Sequence, residues 1–514
     1  MNLTTEGWVP IVWDNGKPGI VSLREVFQLG GQIRDLAARP HERIALMRLL
    51  ICIAQAALDG PDDYDDWKDC QPHVAPASLE YLDRWQYAFE LFGDGQRFLQ
   101  ISELEKAAKN AANMDGETNM VSKLDLALAT GNNATLFDNG GGENRIFESA
   151  QLAASLLSFQ CFSPGGRIGL ALWHEEETAG KRSSDHAPCL AGSMLHAIIR
   201  GEDLESTIHL NMLTKSQVAD LFGDLHWGRP LWEAFPESQA DTNNISNATS
   251  TYLGRLVPLA RAVRLDDDCR TMILANGLKY MPYPAWREPT ATVVAGKSKG
   301  NSNRNVVRAS LQKAPWRELH SLTVKTISQN TNGGPLALQN IKGDHPFDLW
   351  VGGLVADQAK LVDTLESVFH VPAAMLTEPS QRAYEAGVSH AERTEFRLRR
   401  AISVYHKELG DDLDRAEMLE RRQRIQYSAT FQFWTSVERC VSDLISVAEN
   451  PAQLGLDAAW YKTGWGGAVW EAALAAFEAG CPHETARQIR AYALGRKVFF
   501  APIIVRELKE EAEA

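Results

Sequence analysis

From about residue 365 onward the chain is written in the 3.6-residue period of amphipathic helices, and before that point it is not. The stretch EPSQRAYEAGVSHAERTEFRLRRAISVYHKEL (378–409) places Pro379 where a helix begins and Gly410 where one ends. A second helical pattern covers 413–448, with Trp434, Val437, Val441 and Leu444 at three- and four-residue spacing. Patterns over 458–479 and 484–510 follow, separated by Gly480, Cys481 and Pro482. Helices joined by short links pack with their neighbours antiparallel, so 376–514 is predicted to be an antiparallel four-helix bundle. Its arginines (Arg397, Arg399, Arg400, Arg421, Arg422 and Arg424) read equally well as a solvated face.

The residues ahead of the bundle need a core of their own, because a chain of 514 residues exceeds what one core serves. Over 1–366 short helices and strands alternate with long polar loops. The predicted fold class is therefore α+β, a large irregular mixed α/β domain followed by the bundle. The opening is the most readable part. WVPIVW (8–13) and GIVSL (19–23) are strand-like around the turn signal DNG (14–16). Ser22 with Glu25 makes a capping box for a helix beginning SLREVF. HERIALMRLLICIAQAAL (41–58) is apolar on most sides, which predicts a buried helix. DGPDDYDDWKD (59–69) clusters aspartates without the spacing of a calcium loop and reads as a solvated loop.

The formal net charge of −14 argues against a free-standing nucleic-acid binder, which needs a basic face. It leaves room for a local basic patch or for a place in an assembly whose other subunits hold nucleic acid. Three loops exceed the usual connection length. GNNATLFDNGGGEN (131–144) is rich in Gly and Asn, and ETAGKRSSDHAP (177–188) is small, polar and partly basic. The third lies in PTATVVAGKSKGNSNRNVVRASLQKAPWR (289–317). That window carries Lys297, Lys299, Arg304, Arg308, Lys313 and Arg317 and no acidic residue. A fourth feature is LWVGGLVADQAK (349–360). Its LWV run reads as an anchor, Gly352 and Gly353 as a bend, and Asp357 with Gln358 as a turn before a new helical pattern. Local sequence leaves Gln358 as turn filler, helix cap, idle polar residue or working tip.

The sequence carries no complete catalytic motif. Seven cysteines at 52, 70, 161, 189, 269, 440 and 481 form no CxxC pair, so no zinc ribbon or redox motif is expected. AGKSKG (295–300) lacks the earlier glycine of a phosphate loop, Ala291 standing there. His174 and Glu175 begin like a zincin helix, but Thr178 replaces the second histidine. No GxSxG elbow is present, and His186 beside Asp185 and Cys189 has no third member. The expectation is a binding protein, not an enzyme, with no cofactor and no metal. MNLTTEGWVP lacks the basic start and apolar run of a signal peptide. LLICIAQAAL (49–58) is far short of the roughly 20 residues of a membrane span. A cytoplasmic protein with no membrane contact is expected.

The opening NLTTEGWVPIVWDNGKPGIVSLREVF resembles the start of the CasA family, the large subunit of the type I-E CRISPR surveillance complex Cascade. The likeness continues in register through RLLICIAQAAL, TGNNATLFDN, IIRGEDLESTIHLNML, APWREL and LWVGGLVADQAK, and so spans nearly the whole chain. It implies a large α/β domain and a four-helix bundle. It also implies a role: recognising the short protospacer-adjacent motif (PAM) in duplex DNA, helping to open the duplex for guide pairing (R-loop formation), and recruiting a helicase–nuclease. The implied partners are the other Cascade subunits, the 5′ handle of the CRISPR RNA, target double-stranded DNA at the PAM and that helicase–nuclease. Target sequence is then read by the guide, as in other RNA-guided effectors. The alternative is a structural docking subunit with no direct DNA readout.

The resemblance also implies site residues. Gln358 corresponds to the family's wedge glutamine, with Asp357 beside it. Gly180, Lys181, Arg182, Ser183 and Ser184 fall in its glycine loop, over 179–186. Lys279 corresponds to a lysine reaching into the minor groove; independently of the resemblance, the acid-free window offers Lys297 and Lys299 as cations for DNA. Phe137 and Asn139 in TLFDN match contacts to the guide handle. The physics suits such roles: the minor groove is about 6 Å wide and displays mostly acceptors, which small residues, backbone N–H groups and a lysine can reach. A wedge at a base step must offset a few kcal/mol of unstacking. Two departures stand out. The loop holds one glycine where better-known members hold several, and some relatives' zinc-binding CxxC pairs are absent. Asp357, a carboxylate near phosphates, is expected to orient Gln358 or cap the next helix.

Overall fold

Asp14, Asn15 and Gly16 form the predicted turn, with Gly16 at φ 80, a conformation that costs glycine nothing. Strand β1 (Val9–Trp13) pairs antiparallel around it with β2 (Pro18–Val21), Val9 opposite Val21, and β3 (Ile33–Leu36) lies on the other edge of β1. Ser22 and Glu25 make the capping box of α1 (Leu23–Gln28). The Ser22 hydroxyl accepts the Glu25 N–H at 3.2 Å, and the Glu25 carboxylate accepts the Ser22 N–H at 2.7 Å. Helix α2 (Pro40–Leu58) is buried along most of its length, as its apolar circumference requires.

The computed structural model describes residues 1–107, 118–128, 146–163, 168–178, 189, 193–222, 227–280, 285–295, 304–325, 333–357, 360–409, 415–454, 460 and 463–500. Its contacts divide into two units, Met1–Val371 and Pro372–Ala514.

In the first unit the aspartate-rich stretch is not the loop expected for it. Asp63 accepts the N–H groups of Asp65 and Asp66 at 2.9 and 3.1 Å and starts a short helix, α3 (Tyr64–Asp69). The helix forms because Trp67 is drawn inward to stack on His209 at 4.5 Å, while the carboxylates stay in water. Helices α4 (Gln71–Trp85) and α5 (Ser149–Phe162) pack on α2. Strand β4 (Leu104–Lys106) pairs with β6 (Ala171–Trp173), which pairs with β7 (Glu176–Glu177). β5 (Thr118–Met120) starts a second sheet, completed further along the chain. β8 (Leu195–Arg200) belongs to the sheet that concerns the site.

Short helices follow: α6 (Leu204–Leu210), α7 (Lys215–Phe222), α8 (Thr242–Ser250) and α9 (Tyr252–Leu256). β9 (Arg261–Leu265) and β10 (Thr271–Asn276) join β5 in the order β5–β10–β9. β11 (Val293–Ala295) pairs with β12 (Arg304–Val306) ahead of α10 (Leu319–Leu322). The unit closes with β13 (Phe347–Asp357) and β14 (Lys360–Val371), antiparallel throughout, in the order β14–β13–β8.

The second unit is helical, but not as four uninterrupted helices. α11 (Glu378–Leu409) packs against α12 (Arg415–Glu438), α13 (Val441–Glu449), α14 (Gly464–Gly480) and α15 (Ala486–Lys497). The single helix expected over 413–448 breaks at Arg439 and Cys440, where the Cys440 N–H bonds the Val437 carbonyl three residues back. Buried Phe433, Val437, Leu444 and Ala448 keep their phase through the break, so the apolar spacing does not reveal it. Gly387 lets α11 approach α13: a Cβ there would collide with Leu444 and lie 2.9 Å from the Trp460 ring.

Candidate nucleic-acid interface

LWVGGLVADQAK forms one arm and the start of the other in a long hairpin. No bend occurs at Gly352 and Gly353, and no helix follows. Both glycines sit in mid-strand, paired with Glu366 and Leu365 on β14 and with His196 and Leu195 on β8. They serve close approach instead. A Cβ on Gly352 would strike the Trp350 ring, and one on Gly353 would lie 2.8 Å from the Met194 carbonyl oxygen. Asp357 pairs with Lys360 across the end of the ladder, so the backbone of Asp357 caps no helix. Gln358, next in sequence, lies outside the described residues.

The base of this hairpin is held firmly. The Trp350 indole donates to Glu366 at 3.0 Å across the pair, and Arg43 of α2 lies 5.5 Å from the Trp350 ring centroid. Arg43 also donates to the Leu36 carbonyl at 2.7 Å and to Asp35, which accepts from Arg200 at 2.9 Å. The ladder to β8 stops at Gly353–Leu195, whereas the ladder to β14 continues to Asp357 with a bulge between Val355 and Ala356. Beyond Gly353 the strand is held on its β8 side by Ser193. The Ser193 hydroxyl accepts the Ala356 N–H at 3.1 Å and donates to the Ala356 carbonyl at 3.2 Å.

Other predicted site residues are distributed unevenly. Gly180, Lys181, Arg182, Ser183 and Ser184 lie outside the described residues, as do Lys297, Lys299, Phe137 and Asn139. Lys279 is exposed, its N–H bonded to the Gln239 carbonyl at 3.0 Å just beyond β10. Among the described residues no hydrogen bond or ion pair joins Lys279 to β13 or β14. In the cation-rich window, Arg304 lies 4.1 Å from the Trp286 centroid, and Arg287 lies 5.3 Å from the same ring. Arg308 is exposed. Lys313 is less free than the window suggests, because it pairs with Glu318, just past the window's end.

A buried ionic node underlies that window and is not visible in the sequence. The Glu288 carboxylate accepts from Arg48 of α2 at 2.6 Å and from Arg255 of α9. Arg48 also donates to the carbonyls of Leu256 and Arg255 at 2.9 and 2.7 Å. Burial opposes the Glu288 charge, but Arg255 and Arg48 outweigh it and hold the carboxyl down at about 2. Beside it on β8, burial pushes the His196 imidazole down to about 4, with Arg48 adding to the effect. Its Nε2 faces the Cys189 carbonyl at 3.3 Å and its Nδ1 faces the Thr290 hydroxyl at 2.8 Å. The neutral ring thus donates to Cys189 and accepts from Thr290. Glu288 and Thr290 lead directly into β11, so the node fixes the base of the β11–β12 pair. Its partners lie far apart in sequence, and no local signal announces them.

Among the described residues no three His, Cys, Asp or Glu side chains converge as a metal site requires. None of the described helices is long and apolar enough to cross a membrane.

Known proteins of the same build exist. The sequence model of the family described as CRISPR-associated protein Cse1 matches residues 2–476. The CRISPR-associated protein CasA/Cse1 of Thermus thermophilus is 26% identical, over 99% of this chain and 98% of its own. The crystal structure of CasA from Thermus thermophilus superposes with a TM-score of 0.74 at 22% identity, covering 97% of this chain and 98% of that one. Cse1 from Acidimicrobium ferrooxidans gives 0.74 at 17% identity, covering 97% of each chain. A chain of a CRISPR RNA-guided surveillance complex gives 0.72 at 17% identity, covering 98% of this chain and 99% of that one. With a family match running from residue 2 to residue 476, the chain belongs to the CRISPR-associated Cse1 family.

Proposed function

We propose that the chain is the large subunit of a type I-E Cascade complex and works by binding, not by catalysis. In this reading it recognises the PAM in target duplex DNA, helps to part the first base pairs for guide RNA, and recruits a helicase–nuclease. Its partners are the other Cascade subunits and the 5′ handle of the CRISPR RNA, and it acts in the cytoplasm. Gln358 serves as the wedge. Residues 179–186 and Lys279 meet the minor groove, Lys297 and Lys299 meet phosphates, and Phe137 and Asn139 meet the handle.

The observation that supports this most is the β13–β14 hairpin in a chain of this family. It is paired to its last residues, Asp357 and Lys360, around the position of Gln358. A rigid, register-fixed support is what a side chain needs to displace a stacked base, because unstacking costs a few kcal/mol. In the assembled complex, Gln358→Ala is expected to leave assembly intact and slow R-loop formation on linear PAM-bearing duplex by about tenfold or more. Opening at the wild-type rate would remove the wedge role. Crosslinking the same complex to duplex separates reader from platform. Crosslinks at 177–188 and 357–358 are expected, and their absence from an intact complex would favour a docking subunit without DNA readout.

A further inference from the structure

Ser193 stands where three segments meet. Its hydroxyl bonds both backbone groups of Ala356, two residues before Gln358. Its carbonyl accepts the Ala309 N–H at 2.7 Å, and the next residue, Met194, bridges Arg308 in the cation-rich window. In sequence it follows closely on residues 179–186. The backbone explains why a side chain is needed. Ser193 has φ 54, in the left-handed region; its carbonyl is taken by Ala309 instead of β13, and the β8 ladder to β13 ends at Leu195. Among the described residues, the N–H and carbonyl of Ala356, on a strand that runs on without that ladder, have Ser193 as their partner on this side. One hydroxyl, donor and acceptor together, takes the place of the missing backbone pair.

Glycine would adopt this φ at no cost, yet it carries no hydroxyl. A serine held in a disfavoured conformation while making both bonds is evidence that the bonds matter. The glycine at 353 tightens the same point, since its Cα packs against the Met194 carbonyl and the Ala309 methyl with no room for a Cβ.

We propose that Ser193 is a positioning residue that clamps the far end of β13 to the Met194–Arg308 bridge and so fixes the base from which Gln358 acts. The functional half of this rests on the wedge reading above; the clamp itself does not. Four assembled complexes, with Ser193→Asn as a fifth for rescue, test it: Ser193→Ala, Ser193→Gly, Gln358→Ala and the double variant Ser193→Ala with Gln358→Ala. Duplex opening is read by a fluorescent base analogue beside the PAM, and the Ala356 amide by hydrogen exchange. Both single Ser193 variants are expected to speed Ala356 exchange and slow opening about tenfold. The double variant is expected to open no more slowly than Gln358→Ala alone, because the serine acts through the glutamine. Ser193→Asn, which tolerates this φ and offers both donor and acceptor, should restore much of the rate.

Unchanged Ala356 exchange in Ser193→Ala and Ser193→Gly would overturn the clamp. Additive losses in the double variant would overturn its action through Gln358. Wild-type opening by Gln358→Ala would instead overturn the wedge reading, with faster Ala356 exchange in the serine variants still supporting the clamp.

Discussion

His196 is a neutral imidazole in the company of charges, and its surroundings make it a pH-sensitive point of the fold. Its pKa falls from an ordinary 6.5 to about 4, so between those values the unfolded chain binds a proton that the folded one refuses. Stability is full above about pH 6.5 and is lost as pH falls towards 4. Glu288 acts in a lower window. Its carboxyl, held at about 2, favours the fold above its ordinary 4.5 and loses that contribution as pH falls towards 2. His41, which burial also holds at about 4, adds to the upper window. We expect thermal unfolding to show a steep loss of stability between pH 7 and 5, with His196 contributing about 2 kcal/mol of it. His196→Asn keeps a partner for Thr290 but cannot titrate, so its loss across that interval should be smaller by about that amount. An identical slope in the variant would mean that His196 is not the group responsible.

At the scale of elements, the β11–β12 pair is the place where charge and structure can be separated. The node of Arg48, Glu288 and Arg255 anchors its base, while Lys297 and Lys299 lie in sequence between its two strands, outside the described residues. Neutralising both lysines should leave thermal stability unchanged. It should also lower the salt slope of duplex binding by about one for each phosphate no longer neutralised. An unchanged slope would assign those lysines to protein or solvent. The elements also show what the sequence can and cannot convey. Asn15–Gly16 and Ser22 with Glu25 are legible because each device acts within four residues. Gly352 and Gly353 read as a bend because glycine signals either a turn or a close approach, and only Trp350 and Met194 in place decide between them. Trp67 turns an aspartate loop into a helix through His209, 142 residues away. Ser193 is invisible for the same reason: Ala356 is 163 residues distant.

For the whole molecule, the boundary between Val371 and Pro372 separates two cores with different packing logic. Gly353 and Gly387 report on them separately, since each sits where a Cβ has no room within its own unit. Calorimetry should show two transitions. Gly353→Ala is expected to weaken one, and Gly387→Ala the other, by about 1–3 kcal/mol each. A single transition shifted alike by both substitutions would show that the cores unfold together. Within the first unit the long hairpin then has a mechanical meaning. From Gly353 to Asp357 the strand is a cantilever of about 13 Å, at roughly 3.3 Å per residue. Such a beam yields steeply as its free length grows. Fastening at Ala356 leaves about 3 Å of overhang on that side, so a load applied at Asp357 would meet a short, stiff end instead of being spent in bending.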